Sequence, residues 1–344
     1  MSSVYPIDVL TSGAVVLGPD VVCDGFHCER PYRVQTHVHV DHMGDFETSK
    51  GFQDIYMSEP TLCLLRAEYN ADLDVRDNIL PVDLEKCITL PNGNAKLTLL
   101  SSGHMLGAVQ VEVETADGLR LGYSGDFQWP LERTISVDAL VIDGTYGSPD
   151  SVREYSQEEA EERLLELMVR KLRAGPIHIR AHRGTIQRAL QLLSGNIDTP
   201  IIGSDALCKE VSVYQRFGCA AGSLIALKSP DAKAAIATKK YVRLYRTKGD
   251  GFPNQPDGST IVLSGFLAHK RDPVTEYSER AYSVALSNHA DFWGTLEYVR
   301  ATGAKYVMTD NARMNAVRLA LELRERLGIE AEASSNTLRH GWGV

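Results

Sequence analysis

The stretch VQTHVHVDHMGD, residues 34–45, places His37, His39, Asp41 and His42 within one short segment of a 344-residue chain. Imidazole nitrogens and carboxylate oxygens are ligands for zinc, with manganese or iron as alternatives. If residues 36–40 are extended, His37 and His39 project to the same side. Asp41 and His42 then begin the next turn and reach a second position nearby. Val34, Val38 and Val40 supply strand propensity. A lone histidine pair is weak evidence, but this density at this spacing points to a metal centre.

A metal hydrolase needs further ligands. His104 in SSGHMLGA and Asp126 in GYSGDF both occupy strand-to-loop positions, where a sheet presents side chains to a cleft. Taken singly, one reads as a loop histidine and the other as a turn former. Downstream of HVHVDH, both read as ligands.

These residues need a scaffold. Residues 97–124 read as a hairpin: VQVEVET alternates, and Asp117-Gly118 is a favoured tight turn. ALVIDGTYG, 139–147, is a short buried strand ending in polar residues. A helix follows at 156–175, with Ser156 as cap, Glu159 completing a capping box, and Leu164, Leu165, Met168 and Leu172 as its apolar stripe. PIHIR, TPIIG, KYVRLY and TIVLS read as strands and TIQRALQLLSG as a helix, so this region is an α/β unit with a largely parallel sheet. GDGFPNQPDG, 249–258, reads as an exposed loop. AYSVALSNHAD and AKYVMTD are strands ending in polar residues, and a closing helix runs near 312–327.

Composition is that of a globular protein, with 43% hydrophobic and 24% charged residues. No run of eighteen apolar residues suggests a membrane span. The N-terminus lacks the basic start and apolar stretch of a secretory signal. The six cysteines are scattered, without a CxxC pair, so thiols in a reducing cytoplasm are expected. The net charge of −9 argues against a nucleic-acid partner, but its distribution argues for one. Residues 170–280 hold eighteen Lys/Arg against nine Asp/Glu, a local +9 that falls to +4 if the window opens at 150.

HVHVDH, then His104 in GHMLGA, then Asp126 in SGDF, resembles the metallo-β-lactamase superfamily. VIDGTYG with Asp143, an inserted α/β segment, and LSNHAD with His289 then resemble its β-CASP nucleases. VVCDGFHCERPYRVQTHVHVDH and LSNHADFWGTLEYVRATGAKYV are similar to exonucleases associated with DNA ligases, and DGTYGSPD to Artemis-type DNA nucleases. The resemblance runs from about Asp24 to Ala320. It implies an α/β fold, a metallo-β-lactamase αββα sandwich with an inserted α/β β-CASP domain. The corresponding boundaries are 1–149 and 278–344 for the sandwich and 150–277 for the insert.

The resemblance also implies roles. His37, His39 and His104 would hold one metal, and Asp41 and His42 the second, with Asp126 bridging both. Asp24 would orient the ligating histidines, or else be a simple turn aspartate before Gly25. His289 would protonate the leaving oxygen, oriented by Asp143. RNA-processing relatives commonly carry a further histidine on the last strand. Here that place reads VMTDNAR, with Asp310 as the closest match, or Thr309 if the alignment slips by one. A carboxylate there favours a harder ion such as Mn²⁺ at the second site, with Zn²⁺ expected at the first.

Other candidates rest on position. Arg180, His182 and Arg183 in IRAHRGT fall between a strand and a helix, a place for phosphate contacts. Ser264 and Gly265 in LSGFLAHKR are candidates to line the cleft, whereas His269 is a weaker one. Tyr146 and Trp129 are candidates for base stacking, though lone aromatics are more often core.

The expectation is a cytoplasmic metal-dependent nuclease acting on DNA in preference to RNA, an exonuclease or end-processing enzyme of repair. Its partners would be nucleic acid and a DNA ligase or other repair proteins. An RNA-processing β-CASP ribonuclease, a small-molecule hydrolase of the same superfamily and a non-catalytic binding subunit are the alternatives. A closed apolar pocket would favour the small-molecule hydrolase, and absence of bound metal would favour the binding subunit.

Overall fold

The computed structural model describes residues 5–68, 71–219, 222–265, 271–311 and 315–334. Contacts divide the chain into two compact units: Met1–Arg66, Asn70–Val152 and His289–Val344 form one, and Ala67–Tyr69 with Arg153–Asn288 form the other.

The first unit opens with six strands that lie side by side in chain order: β1 (Ile7–Val9), β2 (Val15–Leu17), β3 (Val21–Cys23), β4 (Tyr32–Val34), β5 (Asp54–Ser58) and β6 (Ile79–Val82). Pairing is antiparallel from β1 to β3 and parallel from β3 to β6. Helices α1 (Phe46–Phe52) and α2 (Glu59–Glu68) flank β5 in sequence. A second sheet holds β7 (Ile88–Thr89), β8 (Ala95–Ser101), β9 (Val109–Thr115), β10 (Arg120–Tyr123) and β11 (Ala139–Asp143), continued by the strands Tyr306–Asp310 and Glu330–Ala333.

The alternation in VQVEVET does what its period requires. Val109, Val111 and Val113 are buried and meet Val15, Leu17, Val21 and Val34 of the first sheet in one core between the sheets. The hairpin turns at Asp117-Gly118, with Gly118 at φ 83°, where a side chain would be strained. ALVID is buried at every position because its sheet is covered on both faces. Leu140 and Ile142 turn away from the inter-sheet core and pack with Leu296, Val299, Leu319 and Leu323 of two helices at 292–302 and 316–327. On the far face of the first sheet, Phe46 of α1 lies under the Arg33 guanidinium, 5.1 Å from it.

The second unit is the inserted α/β segment. It contains α3 (Gln157–Leu172), β12 (Ile177–Ala181), α4 (Thr185–Ser194), β13 (Ile201–Gly203), α5 (Asp205–Arg216), β14 (Ile225–Ala226), α6 (Pro230–Ala237), β15 (Val242–Arg246), β16 (Ser259–Leu263), β17 (Val274–Ser278) and β18 (Ala281–Val284). The strand order is β14-β13-β15-β12-β16-β18-β17, parallel except for the edge pair β17–β18. Ser156 and Glu159 form the expected capping box on α3. Its buried stripe is Ala160, Leu164, Leu167 and Met168; Leu165 and Leu172 are only half-buried, because the stripe turns away from them.

The insert ends later than its sequence suggests. The expected boundary at 277/278 moves to 288/289, because β18 pairs in parallel with β16 and so belongs to the insert's sheet. At the front the boundary falls after Val152 rather than after 149. The chain then re-enters the first unit through α7 (Phe292–Thr302), β19 (Tyr306–Asp310), α8 (Ala316–Leu327) and β20 (Glu330–Ala333).

Candidate metal centre

Strands β3 and β4 are parallel neighbours, with Cys23 opposite Val34, so their C-terminal ends deliver Asp24 and the histidine segment to the same edge. Residues beyond Val34 leave the ladder, and Val40–His42 form one turn of 3₁₀ helix. Asp24 has φ 56°, a left-handed conformation that aspartate tolerates better than most residues. Its Oδ1 accepts from the Thr36 backbone N–H at 2.8 Å. Its Oδ2 accepts from Thr36 Oγ1 and lies 2.6 Å from His42 Nδ1.

Beneath this turn lies Arg33, with no exposed surface. It donates to the Gly44 carbonyl at 2.8 Å, Ser49 Oγ at 2.9 Å, Gln35 Oε1 at 2.7 Å and the His42 carbonyl at 3.3 Å. Gln35 Nε2 donates to the carbonyls of His37, at 2.7 Å, and His42, at 3.0 Å. The carbonyls on both sides of the motif are therefore held from inside the protein. Burial pulls the Arg33 guanidinium down to about 10. Neither Arg33 nor Gln35 is singled out by sequence reasoning; the one available signal is a charge between Tyr32 and Val34 in an otherwise apolar strand.

Loops after β8 and β10 bring His104 and Asp126 to this edge. His37 Nε2 lies 3.1 Å from His39 Nδ1, and His104 Nε2 lies 3.2 Å from the same atom. Asp126 Oδ2 is 3.6 Å from both His37 Nε2 and His104 Nε2. One donor atom from each of these four residues falls within 4.8 Å of the others. Burial, reinforced by neighbouring imidazoles, holds His37 and His39 well below the usual histidine range. Both are neutral at physiological pH, the state in which imidazole offers a lone pair.

Asp126 also belongs to a second cluster, with Asp143 and His289. Its Oδ1 lies 3.2 Å from His42 Nε2, and its Oδ2 3.8 Å from His289 Nε2. Asp143 ends β11. Its Oδ1 accepts from the Thr145 N–H at 2.9 Å and from Thr145 Oγ1 at 2.6 Å. Its Oδ2 faces His289 Nδ1 at 3.5 Å. Thr145 thus orients Asp143, a role that only the folded turn reveals. The His289 side chain is 20% exposed, against 5% or less for His37, His42, His104 and Asp126. The Tyr146 ring packs 5.4 Å from that of His289 and is buried.

Asp310 is buried at the end of β19, directly opposite Asp143 in the parallel register of β11 and β19. β19 therefore places a carboxylate beside Asp143 in the sheet, although Asp310 itself belongs to neither cluster among the described residues. Asp41 is placed differently: it is exposed and belongs to neither cluster among the described residues, although its charge is felt by His39.

The expected substrate contacts all lie in the second unit. Arg180 ends in β12, and Ser264 and Gly265 follow β16, its parallel neighbour, so these segments do meet. Arg183 does not offer a phosphate site: it is buried and its Nε donates to Glu210 Oε1 at 3.1 Å, a carboxylate that also accepts from Arg246. A guanidinium inside an apolar unit requires such a partner. His182 is exposed and Arg180 half-buried. His269 lies outside the described residues.

Three imidazole nitrogens and a carboxylate oxygen converging inside 4.8 Å fit a divalent ion of the zinc class. The neutral state of His37 and His39 fits it too. No helix among the described residues is long and apolar enough to cross a membrane.

No family model matches the chain. It is 36% identical over 120 residues to an uncharacterized protein in the lig 3′ region of Acidianus ambivalens, covering 34% of this chain and 84% of that protein. It is 25% identical over 211 residues to an RNase J-like protein of Methanocaldococcus jannaschii, covering 54% of this chain and 49% of that protein. With the transcription termination factor FttA of Pyrococcus abyssi it shares 29% identity over 219 residues, 53% of this chain and 34% of that factor. The chain thus spans half or less of the two longer relatives. A crystal structure of a protein of unknown function from Enterococcus faecalis V583 superposes with a TM-score of 0.61 at 13% identity, covering 88% of this chain and 78% of that one, which bears on the fold alone.

Two stacked sheets between helices, with the metal-binding edge at their strand ends, define an α/β fold of the metallo-β-lactamase type. The chain belongs to the family of the Acidianus ambivalens lig 3′-region protein, within the metallo-β-lactamase/β-CASP superfamily.

Proposed function

We propose that this protein is a metal-dependent nuclease that hydrolyses phosphodiester bonds, with DNA its favoured substrate. The observation that carries the reading is the shared position of Asp126, which joins the His37–His39–His104 cluster to the Asp143–His289 pair. His37, His39, His104 and Asp126 would hold one divalent ion. His42, Asp126 and Asp310 are the residues offered to a second, with Asp41 able to join only by turning inward. Divalent ions held there supply Lewis acidity, acidifying a water and offsetting charge on the phosphodiester.

The remaining chemistry belongs to the chain. His289 is half-buried, 20% exposed, while His37, His42 and His104 are buried, and it is the histidine that would face an incoming phosphate. Asp143 Oδ2 faces its Nδ1 at 3.5 Å, which leaves Nε2 as the nitrogen available to the departing oxygen and the proton it requires. Thr145 fixes Asp143 from behind, so the imidazole keeps one tautomer. Asp24 does the same for His42, leaving its Nε2 directed at Asp126.

DNA is favoured by a carboxylate, Asp310, where RNA-processing members of the group commonly carry histidine. The RNA reading draws on relatives named RNase J-like and transcription termination factor. A zinc ion at the first site and manganese at the second suit their donors. The deciding experiment digests 5′- and 3′-labelled DNA and RNA with the purified chain and each metal, resolved to single nucleotides. Cleavage of DNA with RNA left intact supports the reading, whereas RNA cleaved in preference moves the substrate to the alternative. Neither being cleaved under any metal would count against a nuclease.

A further inference from the structure

The insert's sheet has two unlike faces. On one, Ile177, Ile179, Val242, Leu244, Ile261 and Leu263 are fully or almost fully buried. α3 lies on this face, since its Lys171 ammonium sits 4.6 Å over the ring of Tyr282, whose strand partner is Ile261. On the other face the same strands carry Arg180, Arg243, Thr260, Val262 and Ala281, each only half-buried. Parallel sheets are almost always covered on both sides. Here helix α6 covers that face at the β13–β14 end among the described residues, through Ala232 and Ala235 against Ile202. Over β12 and β15 the cover is the loop after β15, which lays Phe252 against Tyr245 at 4.8 Å and beside the Arg180 guanidinium at 5.8 Å. Towards the β17 edge stands Tyr277, 60% exposed, its hydroxyl 3.4 Å from Ser283 Oγ.

The chemistry of this face is specific. Its strand positions hold two arginines, His178, Tyr245, hydroxyls and small apolar groups, and no carboxylate; His178, Tyr245 and Ser283 are buried under the cover, and the remainder is half-buried. The loop's Asp257, at the other end of β12, is neutralised by Lys239 at 2.5 Å. The surrounding stretch carries the local excess of eighteen basic over nine acidic residues in a chain of net charge −9. A sheet face that combines flat aromatic rings, arginines and hydroxyls suits unstacked bases and a phosphate backbone.

We infer that the part of this face left half-buried binds a single strand of nucleic acid, with Tyr277 stacking on a base and Arg243 contacting a phosphate. The inference rests on the nuclease reading and extends it, since it makes the insert a grip on one strand.

The test uses the full chain carrying Asp126→Asn, so that strands are not consumed, and fluorescein-labelled oligomers of roughly 12 nucleotides followed by anisotropy. Tyr277→Ala raises the Kd for a single strand about tenfold, and Tyr277→Phe restores it, since the ring and not the hydroxyl stacks. Arg243→Ala weakens binding to all sequences and reduces the salt dependence by about one counterion. A parent chain that cleaves bis(p-nitrophenyl) phosphate, which reports the metal centre alone, but binds strands equally well with both substitutions overturns the inference and leaves the nuclease reading standing. A parent that neither cleaves that diester nor binds any strand overturns both.

Discussion

Asp24 Oδ2 lies 2.6 Å from His42 Nδ1, across eighteen residues of sequence and between the ends of two parallel strands. The contact fixes the ring so that its other nitrogen meets Asp126 Oδ1 at 3.2 Å. Asp24→Asn tolerates the left-handed backbone but withdraws the charged acceptor. Its metal affinity falls roughly 10- to 100-fold, as for other orienting carboxylates. Metal content after dialysis against graded chelator reads this directly, and a variant that retains both ions at parental affinity would show that the contact orients nothing of consequence.

His289→Ala separates proton donation from metal binding. Loss of a general acid costs about 10²–10⁴ in kcat on nucleic acid, with KM little changed. On a diester whose leaving group is p-nitrophenolate the loss is far smaller, because that group departs without a proton. Equal losses on both substrates would mean that His289 supports the metals and not the leaving oxygen.

Removing metal should cost stability as well as activity. The Nε2 atoms of His37 and His104 lie 3.1 and 3.2 Å from His39 Nδ1, gathering unshared electron pairs that an ion would neutralise. Chelation therefore lowers the melting temperature, and Zn²⁺ or Mn²⁺ restores it. His37→Ala abolishes the response. An unchanged melting temperature with and without chelator would argue that the cluster binds no ion.

Arg33→Met tests the buried clamp beneath the motif. It takes the Arg33 donor from the Gly44 carbonyl, while the His42 carbonyl keeps Gln35 Nε2, at a cost of about 1–3 kcal/mol for each buried group left unsatisfied. Chemical denaturation measures the loss, and metal affinity falls with it. Destabilisation with metal affinity intact would restrict Arg33 to packing.

Acid sensitivity in the insert follows from Asp257. Its carboxyl is held far below the usual range, first by the hydrogen bond from Lys239 and then by His178 and Tyr241. A depressed carboxyl contributes stability above its unfolded value near 3.8 and loses it as pH falls from there. His178 is lowered as well, mainly by burial, so the unfolded chain takes up that proton first, as pH drops below about 6.5. Acid titration followed by circular dichroism should show both steps. Asp257→Asn removes the lower one, and an unaltered profile below pH ~4 would contradict the assignment.

Much of this was written in local pattern. The alternation of VQVEVET, the Asp117-Gly118 turn and the capping box at Ser156 each depend on neighbours a few residues apart, so periodicity sufficed to place them. The metal-ligating types were legible for the same reason: HVHVDH carries its own spacing, and His37 and His39 do face one centre.

What sequence could not decide depended on distant contacts. Arg183 looked like a phosphate ligand beside a helix start, but Glu210 on another helix claims it. The insert's boundary moved because β18 pairs with a strand of the insert. Arg33 and Thr145 carry no motif, and matter because the fold places carbonyls and a carboxylate against them. The sequence by itself thus determined which residues can do chemistry, since type and short-range spacing suffice for that. Only the tertiary structure decided which of them meet, because parallel strands bring together Asp143 and Asp310, or Asp24 and His42, only when residues far apart in the chain lie side by side in one sheet.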